Sequence, residues 1–289
     1  MSNEKSKVAF ISVLAAVVLV SMKMVVGILT GSLGILSEAL HSALDFVAAA
    51  ITWISVKLSD RPADFDHNYG HGKIENFSAL MEALLLLLTC GWIVWEAVSR
   101  LISGNTTIDI SVWSYIVLIA SICIDAWRSR ELMRIAKKYK SQALEADALH
   151  FSTDILSSFV VLVGLVCAHF GYFFADSVAA LGVAVIVIFI SVRLSMRAIN
   201  SLLDKAPDGI REEVAETIQD VKGVVKSHSL RVRSVGPDYE IDVNIHVDPS
   251  LSIVEAHDIA DKVERAVRRK LGKTMINVHV EPESQSHAN

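Results

Sequence analysis

His41-Ser42-Ala43-Leu44-Asp45 is echoed about a hundred residues later by His150-Phe151-Ser152-Thr153-Asp154, and both copies lie inside long apolar stretches. Residues four apart on a helix share one face, so each copy sets an imidazole and a carboxylate side by side, a turn apart. Two such pairs on two helices supply two nitrogens and two oxygens, the donor set and number for a tetrahedral divalent ion such as zinc. Hydrocarbon is a costly place for these groups. An aspartate at mid-bilayer costs about 2.5–3.5 kcal/mol on insertion scales, so two cost about 5–7. A metal ion crossing the membrane at this level accounts for that cost. Asp147, one turn before His150 on a similar face, extends the polar stripe as an access or supporting group.

Elements that could hold such a site at depth are written into the composition. The chain has 289 residues, 52% of them hydrophobic, yet 20% charged, with a mean hydropathy of +0.45. That mixture points to a membrane part joined to a soluble part. Six stretches of about 20 or more apolar residues, near 8–29, 34–56, 76–102, 111–133, 143–169 and 174–198, are long enough to span a core of about 30 Å. The fourth and fifth are the weakest, because charged residues crowd their junction. The first is too long for a signal-peptide core and is followed by further spans, so it reads as a membrane helix. Counting 1.5 Å per residue from residue 34 places Asp45 about 17 Å deep, and Asp154 comes at the same depth from residue 143. The two pairs therefore meet at one level.

Lys5 and Lys7 precede the first span, Lys57, Arg61 and Lys73 follow the second, and Arg128, Arg130, Arg134, Lys137, Lys138 and Lys140 gather between the fourth and fifth. The alternate loops, 30–33, 103–110 and 170–174, hold no lysine or arginine. By the positive-inside rule both termini face the cytoplasm. Cys90, Cys123 and Cys167 all lie in apolar segments and form no disulfide or CxxC pattern. The net charge of −5 gives no sign of nucleic-acid binding.

Beyond Asp204-Lys205-Ala206-Pro207 the pattern changes. An amphipathic helix at 209–221, alternating strands at 229–235 and 239–247, a helix at 253–271 and a strand at 275–280 give the order αββαβ. The fold class is thus a membrane all-α bundle of six transmembrane helices (residues 1–205) followed by a small α/β, ferredoxin-like domain (206–289). Gly236-Pro237-Asp238 suits a hairpin turn.

Two further polar clusters have ligand chemistry. The loop after the second span carries Asp64, Asp66, His67 and His71, two histidines at i, i+4 beside carboxylates. In the tail, His228, His246, His257 and His279 recur with Glu281, and His279 and Glu281 share one face of a strand.

These residues resemble the cation diffusion facilitator family, in particular its zinc-transporting, bacterial branch. The matching segments are Gly31 to Asp45 in the second span, Asp147 to Asp154 in the fifth, and the loop Arg61 to Glu75. The layout covers essentially the whole chain. The resemblance implies a homodimeric, multi-pass protein of the cytoplasmic (inner) membrane that exchanges metal for protons by alternating access. His41, Asp45, His150 and Asp154 would form the transport site, with His41 the zinc-selective variant of a position that is often Asp. Asp64, His67 and His71 would match a peripheral zinc site. His228, His246, His257, His279 and Glu281 would match the ligands of a cytosolic zinc site at the dimer interface, with Glu281 standing where some relatives have Asp. Lys73 and Asp204 would form an ion pair holding the membrane and cytosolic domains in register. Zn2+ is then both substrate and, in the tail, structural, and the partners are a second copy, protons and the bilayer.

The alternatives are an exporter of broader specificity (iron, cobalt or cadmium) and a metal-sensing receptor without transport. An intramembrane zinc protease is disfavoured because HExxH is missing and four protein ligands would leave no open coordination position, so no enzyme is expected.

Overall fold

The computed structural model describes residues 2–31, 33–103, 112–169 and 174–283. Six long helices come first: α1 (Ser2–Thr30), α2 (Leu33–Ser59), α3 (Ile74–Ser103), α4 (Val112–Tyr139), α5 (Gln142–His169) and α6 (Phe174–Leu202). They match the six expected spans. The lysine- and arginine-free loops at 103–110 and 170–174 lie almost wholly outside the described residues. Among the described residues, α1, α2, α3 and α6 each contain a stretch long and apolar enough to cross a membrane. The charges that crowd together in the sequence fall in the last turns of α4 and the first turns of α5. The chain divides into two compact units, residues 1–63 with 74–199, and residues 64–73 with 200–289.

In the first unit, small and apolar side chains turn inward. Ala9, Val13, Ala49, Val56, Leu132, Ile135, Leu144 and Phe151 form one buried cluster joining α1, α2, α4 and α5. Ala79 and Ala83 of α3 meet Ala146 of α5 and Leu194 and Ala198 of α6 in another. Alanines let helix backbones approach closely, which is how helices pack where lipid removes the hydrophobic drive between them. Leu14, Val18, Val25, Leu88, Trp92, Trp95 and Phe189 point outward and are exposed, an apolar exterior suited to lipid.

Near the start of α1, the buried Lys5 lies 2.6 Å from Asp60 and 3.0 Å from Glu75. Ser59 donates to Glu75 Oε1 at 3.0 Å, and Ser141 donates to Glu75 Oε2. The Ser141 hydroxyl also accepts the amide of Leu144 at 3.3 Å, capping α5. One ionic knot therefore joins the starts of α1, α3 and α5 to the end of α2.

In the second unit, α7 (Ile210–Gln219), β1 (Lys226–Val235), β2 (Asp238–Val247), α8 (Ile253–Leu271) and β3 (Thr274–Pro282) follow the expected αββαβ order. The sheet order is β1-β2-β3, antiparallel between the first pair and parallel between the second. A parallel pair needs a long crossover, and α8 provides it. Ser252 and Glu255 form a reciprocal capping box at its start, and Ile259, Val263 and Val267 are its buried stripe. These pack with Val214 and Ile218 of α7 against Ile241, Val243, Ile245 and Ile276 of the sheet. Period-two alternation leaves Asn244 and His246 on the other face of β2.

Gly236 and Pro237 make the two-residue turn between β1 and β2, with Gly236 at φ 62°. The loop 64–73 lies against this turn. A Cβ on Gly72 would stand 2.8 Å from the Gly236 nitrogen and 2.9 Å from the Val235 carbonyl carbon. Both obstacles are backbone and cannot rotate aside. Gly72→Ala should therefore lower the stability of this unit by about 1–3 kcal/mol, the usual cost of overpacking. An unaltered thermal unfolding profile would contradict this close approach.

Candidate functional site

The repeated pairs meet as their spacing requires. His41 and Asp45 come from α2, His150 and Asp154 from α5. His150 Nε2 is 3.2 Å from Asp45 Oδ1 and 3.6 Å from Asp154 Oδ2. His41 Nε2 is 3.9 Å from Asp45 and 4.0 Å from Asp154. Donors about 2.0–2.2 Å from a tetrahedral ion stand roughly 3.3–3.6 Å apart. His150 stands close to that spacing from both carboxylates, and His41 is wide by about half an ångström. His41 is also the most exposed of the four, its side chain at 36% against 5% for His150. Asp154 Oδ2 and His150 Nδ1 are buried and have no hydrogen-bond partner among the described residues. An orphaned buried carboxylate oxygen is costly, and a cation between these side chains would satisfy Asp154 Oδ2.

Around these four lie polar groups whose partners single-residue reading does not find. Lys23 of α1 is buried and donates to Ser42 Oγ at 2.8 Å, one residue after His41. Thr52 of α2 donates to Glu82 of α3. Arg128, expected among loop charges between the fourth and fifth spans, is instead buried within α4. Its guanidinium contacts Asp125 at 3.2 Å and Ser12 at 3.2 and 3.1 Å, and lies 3.5 Å from the Phe151 ring centroid. Pairing with Asp125 one turn away is what makes that burial tolerable. Asp147 is fully buried and is approached by Ser12 Oγ at 3.5 Å.

In the second unit, Asp64, His67 and His71 converge. His67 Nδ1 is 3.2 Å from Asp64 Oδ1, His71 Nε2 is 3.4 Å from Asp64 Oδ2, and the two rings are 4.5 Å apart. The backbone amide of His67, donating at 2.7 Å, and its ring beside it hold the Asp64 carboxyl below the usual carboxylate range. The carboxylate is thus ionised and ready to ligate. Asp66 is not part of this triad.

The strand register assembles the tail cluster. His246 of β2 lies directly opposite Glu281 of β3, and a bulge between His228 and Arg231 turns the end of β1 toward them. His228 Nε2 is 3.2 Å and His246 Nε2 3.3 Å from Glu281 Oε2, so three of the five expected residues come together. The His228 hydrogen bond, with help from Asn244, holds the Glu281 carboxyl low. His279 is 3.7 Å from Glu281 but points outward and lies outside the triad. His257 is on α8 beside Asp261 and does not join within one chain. Glu283, 2.8 Å from His246 Nδ1, is the neighbour that the sequence reading missed. Only its two-residue offset from Glu281, just past the end of β3, could have flagged it.

Lys73 Nζ lies 2.6 Å from Asp204, which also takes Arg233 at 3.1 Å. Partial burial raises the Asp204 carboxyl, but these two cations more than offset it and keep it below the usual range. Both Lys73 and Asp204 fall in the second unit, where the pair fastens the 64–73 loop to the segment leading into α7.

Comparison with known proteins agrees with this layout. Residues 9–203 match the family described as "Cation efflux transmembrane domain", and residues 206–283 match "Cation efflux protein, cytoplasmic domain". The "Cation-efflux pump FieF" of Shigella boydii serotype 18 is 31% identical over 278 residues, 96% of this chain and 92% of that protein. The protein of the same name from Escherichia coli (strain K12 / DH10B) is 30% identical over the same shares. Among solved structures, a nickel form of the MamM CTD is 29% identical and covers 27% of this chain and 100% of that one, at a TM-score of 0.26.

Proposed function

The chain belongs to the cation efflux family, the cation diffusion facilitators, and from that premise we infer that it is a zinc exporter driven by proton antiport. Members of this family are membrane transporters of metal cations rather than enzymes. The observation that carries the finer reading is the 3.2 Å approach of His150 Nε2 to Asp45 Oδ1, which joins α2 and α5 through donors that suit a divalent ion.

In this reading His41, Asp45, His150 and Asp154 hold the ion during transit. Two imidazoles with two carboxylates favour zinc over harder, oxygen-seeking ions such as manganese. Metal binding requires ionised carboxylates and unprotonated imidazole nitrogens, so protons compete with the metal for the same atoms. A site that opens alternately to the two faces then loads metal on the proton-poor side and protons on the other. Loop charges support cytoplasmic termini, and export is from the cytoplasm across the inner membrane. The second unit is a homodimerisation module. Its His228–His246–Glu281 triad, with His257 and His279 supplied across the dimer, and the Asp64–His67–His71 triad are subsidiary zinc sites, while Asp147 supports the transport site from one turn away.

The test is uptake into proteoliposomes of the full chain, comparing zinc with cadmium, cobalt and iron, with and without an imposed pH gradient. Zinc should be taken up fastest, and faster with an acidic lumen. Equal uptake with and without the gradient would remove the antiport reading, and equal rates for all four metals would remove the zinc preference.

A further inference from the structure

Glu82 of α3 and Asp147 of α5 are buried carboxyls with no role among the transport ligands. Neither side chain is exposed at all. Each has one oxygen bound, Glu82 Oε1 by Thr52 and Asp147 Oδ2 by Ser12, and one buried oxygen with no hydrogen-bond partner among the described residues, Glu82 Oε2 and Asp147 Oδ1. The helices bring them to the same region. Ala79 and Ala83 of α3 flank Glu82 and pack on Ala146, the neighbour of Asp147, and on Leu194 and Ala198 of α6, a helix that also buries the neutral hydroxyls of Ser191 and Ser195. Asp147 is one turn from His150, so this second level borders the transport site.

Charge counting decides what the two can be. Thr52 faces Glu82 from α2, Asp147 and His150 act on it from α5, and Arg128 from α4. The guanidinium of Arg128 is already engaged by Asp125 and Ser12. Asp147 is faced by the same Arg128 and His150, by Ser12 from α1 and by Asp45 from α2. The His150 ring is already set between Asp45 and Asp154, so ionised Glu82 and Asp147 would be two further negative charges with no cation of their own. Removing a carboxylate from water costs several kcal/mol that only a close counter-charge offsets. Both cannot be ionised unless a cation arrives nearby.

We propose that Glu82, with Asp147 beside it, binds a proton that is exchanged for the metal ion. This rests on the antiport reading above. A divalent ion arriving at the His41–Asp45–His150–Asp154 site from the cytoplasm supplies the missing positive charge. The Glu82 O–H bond then breaks, its electron pair stays on the carboxylate, and the proton passes to cytoplasmic water. When the ion leaves on the far side, the carboxylate takes a proton from water there. Asp147 shares the charge left behind.

The experiment compares wild type, Glu82→Gln and Glu82→Asp in proteoliposomes, measuring zinc uptake driven by a one-unit pH gradient and zinc–zinc isotope exchange without one. Each coupled proton raises the zinc accumulation ratio reached at equilibrium about tenfold per pH unit. The ratio of gradient-driven uptake to exchange should fall by up to that factor in Glu82→Gln and recover in Glu82→Asp, which keeps a carboxyl. If Glu82→Gln does not fold, Asp147→Asn gives the same readout. An unchanged ratio, or parallel loss of both activities with the ratio kept, overturns the assignment. Wild type that ignores the gradient sinks the antiport reading and this inference with it. A gradient effect equal in wild type and Glu82→Gln sinks this inference alone.

Discussion

An Asp45→Ala protein in proteoliposomes should move zinc at least about 100-fold more slowly than wild type. Losing even an outer partner of a metal ligand commonly costs 10–100-fold, and a direct ligand costs more. Asp45 is the sharpest choice because its Oδ1 lies near the ring nitrogens of both histidines, at 3.2 Å from His150 and 3.9 Å from His41. Its removal unties α2 from α5 at the site as well as deleting a donor. Wild-type flux from this variant would end the reading of these four residues as the transport site, and normal folding of the variant, checked by gel filtration, keeps a null result interpretable.

The second large effect concerns stability. Arg128→Leu should destabilise the bundle by about 3–5 kcal/mol, because Asp125 is then left charged and unpaired in a buried setting. The stacking of the guanidinium over Phe151 is lost as well. Arg128→Leu combined with Asp125→Asn should recover much of the loss, since removing both members of a buried pair is often close to neutral. Thermal unfolding in detergent reads both. If the single variant melts like wild type, or the double variant is worse than the single one, the pair is not what keeps this arginine inside.

The difference between these two predictions follows what a sequence can carry. His41 and Asp45 announce themselves through spacing within one helix, and the repeat at His150 and Asp154 makes the pattern legible. The αββαβ order of the tail was equally readable, because alternation in β2 and the apolar stripe of α8 are local properties. Arg128, Lys23 and Glu82 are different. Each is a single polar residue in or beside an apolar run, and its meaning depends on a neighbour supplied by another helix: Ser12, Ser42 and Thr52 respectively. No periodicity within one segment encodes that. Arg128 was further masked by the basic residues that follow it, which made it look like one more loop charge. The tail triad was legible in part. Register decides that His246 rather than His279 faces the close carboxylate cluster, and register includes a bulge at His228 that spacing does not reveal.

The seat of Gly72 on the Val235–Gly236 turn bears on how portable the second unit is. The second unit is not one continuous stretch of chain, since residues 64–73 belong to it while lying between α2 and α3. A chimera that grafts only the carboxy-terminal segment of a relative onto these six helices would retain the host's connecting loop against a foreign hairpin. Their fit allows no added atom at Gly72, so inheritance of the two segments is tied. Successful domain exchange within the family should require trading both pieces together.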